Sequence, residues 1–138
     1  MASVMSQLRA RELAESWIAA WNNRDLDALM SHYSDEVVFV SPTVLTRDDQ
    51  PSGVIRGQKA LREHFGEGLK EFGANVRFTL LDVCAGVNGF AIYYSRETGA
   101  KVIGAKLVDA SGKIVEARVH YHAAQQRLAG DAPQAARS

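Results

Sequence analysis

Trp17-Ile-Ala-Ala-Trp21 opens the stretch of sequence that decides the fold, and this stretch continues through Met30 into Val37-Val-Phe-Val-Ser-Pro42. Apolar side chains recur here at steps of three and four, the spacing that places them on one face of a helix. They are Leu13, Ala14, Trp17, Ile18 and Trp21, and then Leu26, Leu29, Met30 and Tyr33. The pattern predicts two amphipathic helices that run into a buried strand over residues 37–41, since that run is β-branched and aromatic.

Turn-forming residues mark where these elements meet. Asp25 can cap the second helix, because its carboxylate can accept hydrogen bonds from the free amides of the first turn. Ser34-Asp-Glu36 then turns the chain into the strand. Residues 42–56 are polar and irregular, with turn chemistry at Pro51-Ser-Gly53, and we interpret them as a loop.

A third helix and four strands follow this loop. An apolar stripe between Gly57 and Gly73 predicts the helix. Its members are Leu61, Phe65, Leu69 and Phe72. Strand patterns cover residues 76–84, 90–96, 101–109 and 113–122, and short glycine-bearing turns separate them. Because the connections are short, we expect these strands to be antiparallel neighbours.

The order of the elements is typical of the α+β class, with helices on one face of a curved antiparallel sheet. Single cores typically hold about 100–150 residues, so a chain of 138 residues predicts one domain. We place that domain at residues 1–122, with three helices in its N-terminal half. Residues 123–138 are rich in Ala and Gln without periodicity and predict a flexible C-terminal tail.

Composition excludes several kinds of partner. Lys plus Arg and Asp plus Glu balance at 16 each, so no field of one sign attracts nucleic acid or an anionic membrane. No run approaches the ~18 apolar residues of a membrane-spanning helix, and the N-terminus lacks a signal-peptide pattern. We therefore expect a cytoplasmic protein. The single cysteine, Cys84, lies in an apolar run and is expected to be a small core residue.

Several phrases resemble the SnoaL-like branch of the nuclear-transport-factor-2-like superfamily. They are Ala19-Ala-Trp-Asn22, Asp25-Leu-Asp27, Val37 to Pro42, Arg56 to Phe65, and Gly112 to Arg118. The resemblance spans about residues 8–122. It implies a cone-shaped cavity between the helices and the concave face of the sheet, in a homodimer formed through the outer face. The scaffold hosts isomerases, cyclases, dehydratases, epoxide hydrolases and non-catalytic binders, so it implies no single reaction.

Ketosteroid isomerases of this superfamily use a tyrosine on the first helix, a carboxylate base beside the first strand and a carboxylic acid on the sheet. Laid on this chain, those positions hold Trp17, Ser41 and Gly104. The indole can donate one hydrogen bond, but the serine is a poor base and the glycine has no proton to give. SnoaL-like cyclases often carry an acidic residue where this chain has Tyr121-His122. The resemblance therefore argues against both reactions.

Two basic side chains could act inside the implied cavity. Lys106 shares one side of its strand with Gly104, and the resemblance makes that side concave. A desolvated lysine could serve as an electrophile, a Schiff-base former or an anion anchor, but lysines more often extend to the rim. We expect the rim position for Lys106. His64 borders the apolar stripe of the third helix and could act as an acid or base, although such histidines are commonly half-exposed.

Hydroxyl groups and aromatic rings complete the predicted site. Ser41 and Tyr94 join His64 and Lys106 as candidate catalytic groups, and Tyr94 could equally be a core tyrosine. On the last strand, alternation predicts an inward apolar face. Its members are Val115, Ala117, Val119 and Tyr121. The predicted ligand-binding residues are Trp17, Trp21, Tyr33, Phe39, Phe65 and Tyr121.

We predict no metal and no cofactor. His120 and His122 could chelate a metal only if a third ligand such as Glu116 joined them, and their side of the strand is expected to face outward. Asp48 and Asp49 are clustered carboxylates in the predicted loop, where the default is a solvated turn. Paired acid and base work by them would require the loop to fold inward.

Three functional hypotheses follow. The protein could bind a small apolar or aromatic ligand and perform cofactor-free acid–base chemistry such as isomerisation, cyclisation or dehydration. It could bind that ligand without turnover, or it could be a dimeric protein-interaction module with a filled cone. A titratable pair that converges within ~3 Å in the cavity would favour the enzyme, since acid–base catalysis needs that reach.

Overall fold

A computed structural model of the chain describes residues 2–48 and 50–122. The predicted tail and Asp49 lie outside the described residues. The helices are α1 (Gln7–Asn22), α2 (Leu26–Met30), α3 (Pro42–Arg47) and α4 (Gln58–Phe72), with a 3₁₀ turn over Gly73–Asn75. The strands are β1 (Tyr33–Val40), β2 (Val54–Arg56), β3 (Thr79–Gly86), β4 (Gly89–Ser95), β5 (Lys101–Val108) and β6 (Ile114–Tyr121). None of these helices is both long and apolar enough to cross a membrane.

The strands form one six-stranded sheet in the order β2-β1-β6-β5-β4-β3. The predicted antiparallel neighbours β3 to β6 are confirmed. β1 pairs with β6 in parallel, with Phe39 opposite Ala117, and this pairing joins the N-terminal half of the chain to its last strand. Helices on one face of a largely antiparallel sheet confirm the α+β class.

Helix α1 follows the predicted periodicity. Trp17 and Trp21 are each 5% exposed and pack against the core from neighbouring turns. The predicted cap of α2 is also confirmed, because the Asp25 carboxylate accepts a 3.0 Å hydrogen bond from the Ala28 amide. Tyr33, which we had assigned to the face of the second helix, instead begins β1 and is buried at the sheet. A helix of five residues is too short to reach it.

The interpretation of residues 42–56 as a loop is wrong. Residues 42–47 form α3, which begins with Pro42 and is capped by Ser41, whose hydroxyl accepts a hydrogen bond from the Thr43 amide at 3.2 Å. Residues 54–56 form β2 against β1. A serine before a proline is a typical helix start, but a six-residue helix is too short to show an apolar period. The domain therefore has four α-helices among the residues described, and not three.

Two predicted side-chain orientations are also wrong. Opposite β5, Leu107 pairs with Glu116 and Val108 with Ile114, so Val115 is an extra residue in a bulge. The bulge turns Ile114 into the core and takes Val115 out of the inward face, while Ala117 keeps its predicted burial. Cys84 is exposed, because its neighbour Val83 occupies the buried side of β3 and successive strand residues point to opposite faces.

Candidate active site

A cavity of about 50 Å³ lies between helices α1, α3 and α4 and the concave face of the sheet. This volume has room for about four water molecules. All ten predicted site residues line it, namely Trp17, Trp21, Tyr33, Phe39, Ser41, His64, Phe65, Tyr94, Lys106 and Tyr121. Further lining residues that the sequence did not single out for the site include Thr43, Arg47, Gly68, Phe72, Phe78 and Arg96. The sequence patterns therefore predicted which helix and strand faces meet at the cavity, but they did not predict that α3 contributes to it.

His64 forms the best-defined polar contact of the site. It lies on α4 and is 3% exposed, and not half-exposed as such helix positions commonly are. Its Nδ1 lies 2.9 Å from Asp48 Oδ2. On the other side of the ring, Nε2 lies 2.9 Å from Thr43 Oγ1 and 3.1 Å from Arg47 Nη1. The two ring nitrogens therefore face opposite kinds of partner.

These partners fix the tautomer of His64. A guanidinium group has only donors, so the contact with Arg47 requires Nε2 to accept. The ring proton must then reside on Nδ1, from which it is donated to the Asp48 carboxylate. Burial lowers the pKa of His64, and the charge of Arg47 lowers it further, against the opposing effect of Asp48. The imidazole is consequently neutral near pH 7, with its basic nitrogen towards Thr43 and Arg47.

Helix α3 supplies all three partners. Thr43 and Arg47 lie on it and Asp48 is its C-terminal cap residue, so the packing of α3 on α4 brings them around one imidazole. Ser41 Oγ lies 2.9 Å from Thr43 Oγ1. Because the unprotonated Nε2 must accept, Thr43 uses its one hydroxyl hydrogen there, and Ser41 must therefore donate to Thr43 Oγ1. The four side chains thus form a hydrogen-bond chain directed from Ser41 to Asp48. The loop that we expected to be solvated folds inward at Asp48.

A second ionic contact holds Arg47 in place. Its Nη2 and Nε lie 2.9 Å and 3.1 Å from the same carboxylate oxygen of Glu71, on the next turns of α4 beyond His64. The guanidinium also packs over Gly68, where a Cβ atom would lie 3.5 Å from Arg47 Nη1. Arg47 is thus positioned by Glu71 and presents its remaining nitrogen to the imidazole.

Lys106 lies inside the cavity, and the more common rim position is not adopted. Its side chain is 4% exposed on β5, and Nζ lies 3.5 Å from the centre of the Trp17 ring and 5.9 Å from that of Tyr33. No Asp or Glu within residues 2–48 and 50–122 lines the cavity. Burial lowers the pKa of Lys106 well below its ordinary value, since nothing anionic in the wall offsets the lost hydration.

Aromatic side chains of the cavity wall contact one another. Trp17 Nε1 donates a 2.9 Å hydrogen bond to the Tyr33 hydroxyl, and Tyr94 stacks on Phe78 with ring centres 5.0 Å apart. Burial raises the pKa of Tyr33 and of Tyr94, so both hydroxyls stay protonated near neutral pH. In contrast, the buried Nε1 of Trp21 has no hydrogen-bond partner among the described residues.

Arg96 and Tyr121 line another part of the wall. The Arg96 guanidinium lies 3.9 Å from the centre of the Phe72 ring and 4.8 Å from that of Phe78, and it is paired with Glu97 at 2.7 Å. Burial raises the pKa of Tyr121, which the charge of Arg96 opposes. Arg96 thus makes cation–π contacts with Phe72 and Phe78, and both of these rings also line the cavity.

The His, Cys, Asp and Glu side chains of residues 2–48 and 50–122 do not gather in threes. No three side chains among the His, Cys, Asp and Glu residues of these segments come close enough to hold an ion. His120 and His122 are exposed, outside the cavity lining.

Comparison with known proteins supplies the family. A family model for the SnoaL-like domain matches residues 14–131. The chain belongs to the SnoaL-like family. The resemblance identified from the sequence is therefore confirmed. No significantly similar protein was found among curated proteins.

Solved structures agree with this assignment. A SnoaL-like protein of unknown function from Burkholderia thailandensis is 30% identical, with 87% of this chain and 99% of that chain covered and a TM-score of 0.83. A protein with a cystatin-like fold from Methylobium petroleophilum is 18% identical over 99% and 93% of the two chains, with a TM-score of 0.68. A SnoaL-like protein from Agrobacterium tumefaciens, named as a candidate isomerase, is 15% identical over 83% and 98%, with a TM-score of 0.66. The last two likenesses concern the fold alone.

In this SnoaL-like protein, the three positions that align with the ketosteroid-isomerase groups do meet on the cavity wall. Trp17, Ser41 and Gly104 all line it. The acidic group and the base are absent at those positions, but an Asp48–His64 pair lies beside Ser41 through Thr43. The chain therefore carries a titratable pair at a different place from the one that the resemblance implied.

Proposed function

We propose that this protein is a cofactor-free acid–base enzyme that acts on a small, mostly apolar molecule in the cavity. The observation that carries the proposal is the 2.9 Å contact between His64 Nδ1 and Asp48 Oδ2, with the opposite ring nitrogen turned to a cavity hydroxyl. A carboxylate that holds an imidazole in one tautomer is a recurring means of making the other nitrogen a base. The reaction classes that such a base serves include isomerisation, dehydration and cyclisation.

Thr43 provides the route from ligand to base. Its hydroxyl lines the cavity and contacts Nε2 at 2.9 Å, so it can accept a proton from the ligand while it gives its own to His64. Asp48 then stabilises the imidazolium, and Arg47 limits how long that charge persists because the two cations repel. Return of the proton through Thr43 to another ligand atom would complete an isomerisation without any cofactor.

The aromatic wall supports a small apolar ligand. Most of the lining is aromatic or aliphatic, with a few polar groups that converge from α3, α4 and β5, which is the usual composition of a ligand site. Because the cavity measures about 50 Å³, it suits a ligand of a few non-hydrogen atoms, and larger ligands require side chains to move. The same wall would serve the alternative hypothesis, a binder without turnover.

Deuterium exchange tests the acid–base proposal without knowledge of the product. A panel of small ketones, hydroxyketones and aromatic carbonyl compounds is incubated with the protein in D₂O, and loss of α-proton signals is followed by NMR. We expect catalysed exchange for at least one compound, with a loss of about 100-fold or more in His64→Gln, since a general base contributes about that much. His122→Gln, which removes an exposed histidine outside the cavity, is the matched control. Binding of panel members with exchange no faster than in buffer would favour the non-catalytic binder.

A homodimer through the outer face of the sheet is the second part of the proposal. Large apolar side chains are exposed on that face, including Tyr93, Ile103 and Leu107, which lie on the neighbouring strands β4 and β5. Exposed apolar patches commonly mark protein contacts. Light scattering at micromolar concentration should give the mass of a dimer, and Ile103→Lys should give a monomer. A monomeric wild-type protein would contradict this part alone, because the acid–base site lies within one chain.

A further inference from the structure

Lys106 is a buried amine that the acid–base mechanism leaves without a role. Its side chain is 4% exposed, it lines the cavity, and it has no ion-pair partner in residues 2–48 and 50–122. We propose that Lys106 is a nucleophile that forms a Schiff base with the carbonyl carbon of a small aldehyde or ketone bound in the cavity. The proposal rests on the proposed function, because it names the substrate class of the same site.

Burial of Lys106 in a wall without a carboxylate favours the free amine. Among residues 2–48 and 50–122, the other titratable groups of the cavity wall are either cationic or neutral near pH 7. They are Tyr33, Arg47, His64, Tyr94, Arg96 and Tyr121. His32, which packs outside the wall, also senses the Lys106 charge and is itself held neutral, with a pKa lowered to about 4 chiefly by burial. Nothing in this environment repays the cost of burying an ammonium group except the face of Trp17.

The bond change balances without any co-reactant. The nitrogen lone pair attacks the carbonyl carbon, the carbonyl π electrons move to oxygen, and a carbinolamine forms. The two hydrogens of the neutral amine then leave with that oxygen as water, and the C=N bond forms. The step therefore needs only a lysine that has lost its ammonium proton and a carbonyl compound that fits the cavity.

The wall also suits the product of this step. The imine becomes an iminium cation when it takes up one proton from water. This cation stands in the place of the lysine nitrogen, which lies 3.5 Å from the centre of the Trp17 ring, so the indole face stabilises it. Trp21 lines the same cavity, and its buried Nε1 has no hydrogen-bond acceptor among the described residues. An oxygen atom of a ligand could accept this hydrogen bond. An apolar wall with one free amine and one free donor is complementary to a carbonyl compound.

A Schiff base would also explain the need for a base in the same cavity. The iminium withdraws electrons from the neighbouring carbon, so its proton becomes acidic enough for an imidazole to remove. His64 and Lys106 both line the cavity, and the enamine that results is the common intermediate of carbonyl isomerisation, dehydration and ring closure. The two groups would then act on adjacent atoms of one substrate.

Reductive trapping tests the proposal directly. The folded protein is incubated with propanal and sodium cyanoborohydride at about pH 7, digested, and the propylated lysines are quantified by mass spectrometry. Exposed Lys59 and Lys70 on α4 serve as references within the same digest. We expect Lys106 to be modified faster than either, since a buried lysine with a lowered pKa has more free amine at pH 7 than an exposed one. Lys106 modification no faster than that of Lys59 from pH 6 to 9 would overturn the proposal.

Two variants separate this proposal from the acid–base function. His64→Gln should lose α-proton exchange yet keep rapid trapping at Lys106, because the amine remains in its apolar wall. Lys106→Met should lose trapping, while circular dichroism reports that the fold is intact. Exchange that depends on His64 but is unaffected by Lys106→Met would contradict the Schiff base and leave the acid–base function standing. Rapid trapping without any exchange would support the amine and contradict the base.

Discussion

Arg47 Nη1 lies 3.1 Å from His64 Nε2, so a fixed positive charge faces the lone pair of a histidine on the cavity wall. Repulsion between two cations disfavours protonation of the imidazole, so Arg47 opposes the imidazolium that Asp48 stabilises. On the opposite side, Asp48 accepts the ring proton at 2.9 Å. The site therefore keeps a neutral, oriented histidine in a buried place, and the balance between these two neighbours sets how readily it takes a proton.

Replacement of the guanidinium should raise the pKa of His64. Arg47→Met removes the nearby charge that lowers this pKa and leaves Asp48, which raises it. The titration of the His64 ring proton by NMR should then move to higher pH. Arg62→Met, which removes an exposed arginine paired with Asp27, is the matched control and should leave the titration in place. A downward shift in Arg47→Met would mean that the contact with Nε2 does not exist in solution.

The stability of the fold should fall in mild acid. The pKa of His64 and of His32 is lowered in the folded protein, that of His32 from 6.5 to about 4. Because the unfolded chain binds more protons in this window, the free energy of unfolding decreases as the pH falls from about 6.5 towards 4. Urea unfolding at a series of pH values measures the slope, which His32→Gln should reduce and His120→Gln should not. Equal stability at pH 7 and pH 5 would contradict the burial of both rings.

Lys106 should be costly for stability. Lys106→Met shortens the unbranched side chain by one heavy atom and replaces an amine, which is buried without a carboxylate in the described part of the wall, by an apolar group. We expect the free energy of unfolding at pH 7 to rise by about 1 kcal/mol or more, since well-packed apolar replacements of buried charges often stabilise. Lys59→Met, at an exposed site of α4, should change it by less than about 0.5 kcal/mol. A loss of stability in Lys106→Met would show that the contact with Trp17 outweighs desolvation.

Helix α3 should depend on its cap. Ser41→Ala removes the hydroxyl that accepts from the Thr43 amide and contacts Thr43 Oγ1, and should lower the free energy of unfolding by about 0.5–2 kcal/mol. Ser41→Asn restores a capping group and should recover most of this loss. Ser52→Ala, in the exposed turn that follows α3, is the comparison variant. If the alanine variant unfolds at the wild-type urea concentration, the cap contributes nothing to the fold.

Sequence patterns predicted the parts of this structure that depend on neighbouring residues. The stripe of α1, the Asp25 cap and the hairpins between β3 and β6 all follow from spacing and turn chemistry within short windows. The sequence patterns gave the wrong orientation where one extra residue shifts the alternation of buried and exposed side chains along a strand, as Val115 does in β6. A β-bulge is defined by the pairing with the neighbouring strand, so the sequence of one strand alone does not reveal it.

The Asp48–His64 pair shows why the candidate site was only partly predictable. The two residues are 16 positions apart and meet because α3 packs on α4, so no spacing rule connects them. Ser41-Pro42 gave a signal for the start of α3, but the helix has too few residues to show which side is apolar. In contrast, the contact between the large aromatic residues on the predicted helix stripes was predictable, since a small domain has a single hydrophobic core in which they can be buried.

The parallel pairing of β1 with β6 has a consequence for biosynthesis. β6 is the last strand along the described part of the chain, yet it lies in the interior of the sheet between β1 and β5. Until residues 114–121 leave the ribosome, both of those strands present an open edge, and the sheet remains in two pieces. Until β6 has been synthesised, the open edges of β1 and β5 can therefore pair with strands of other chains.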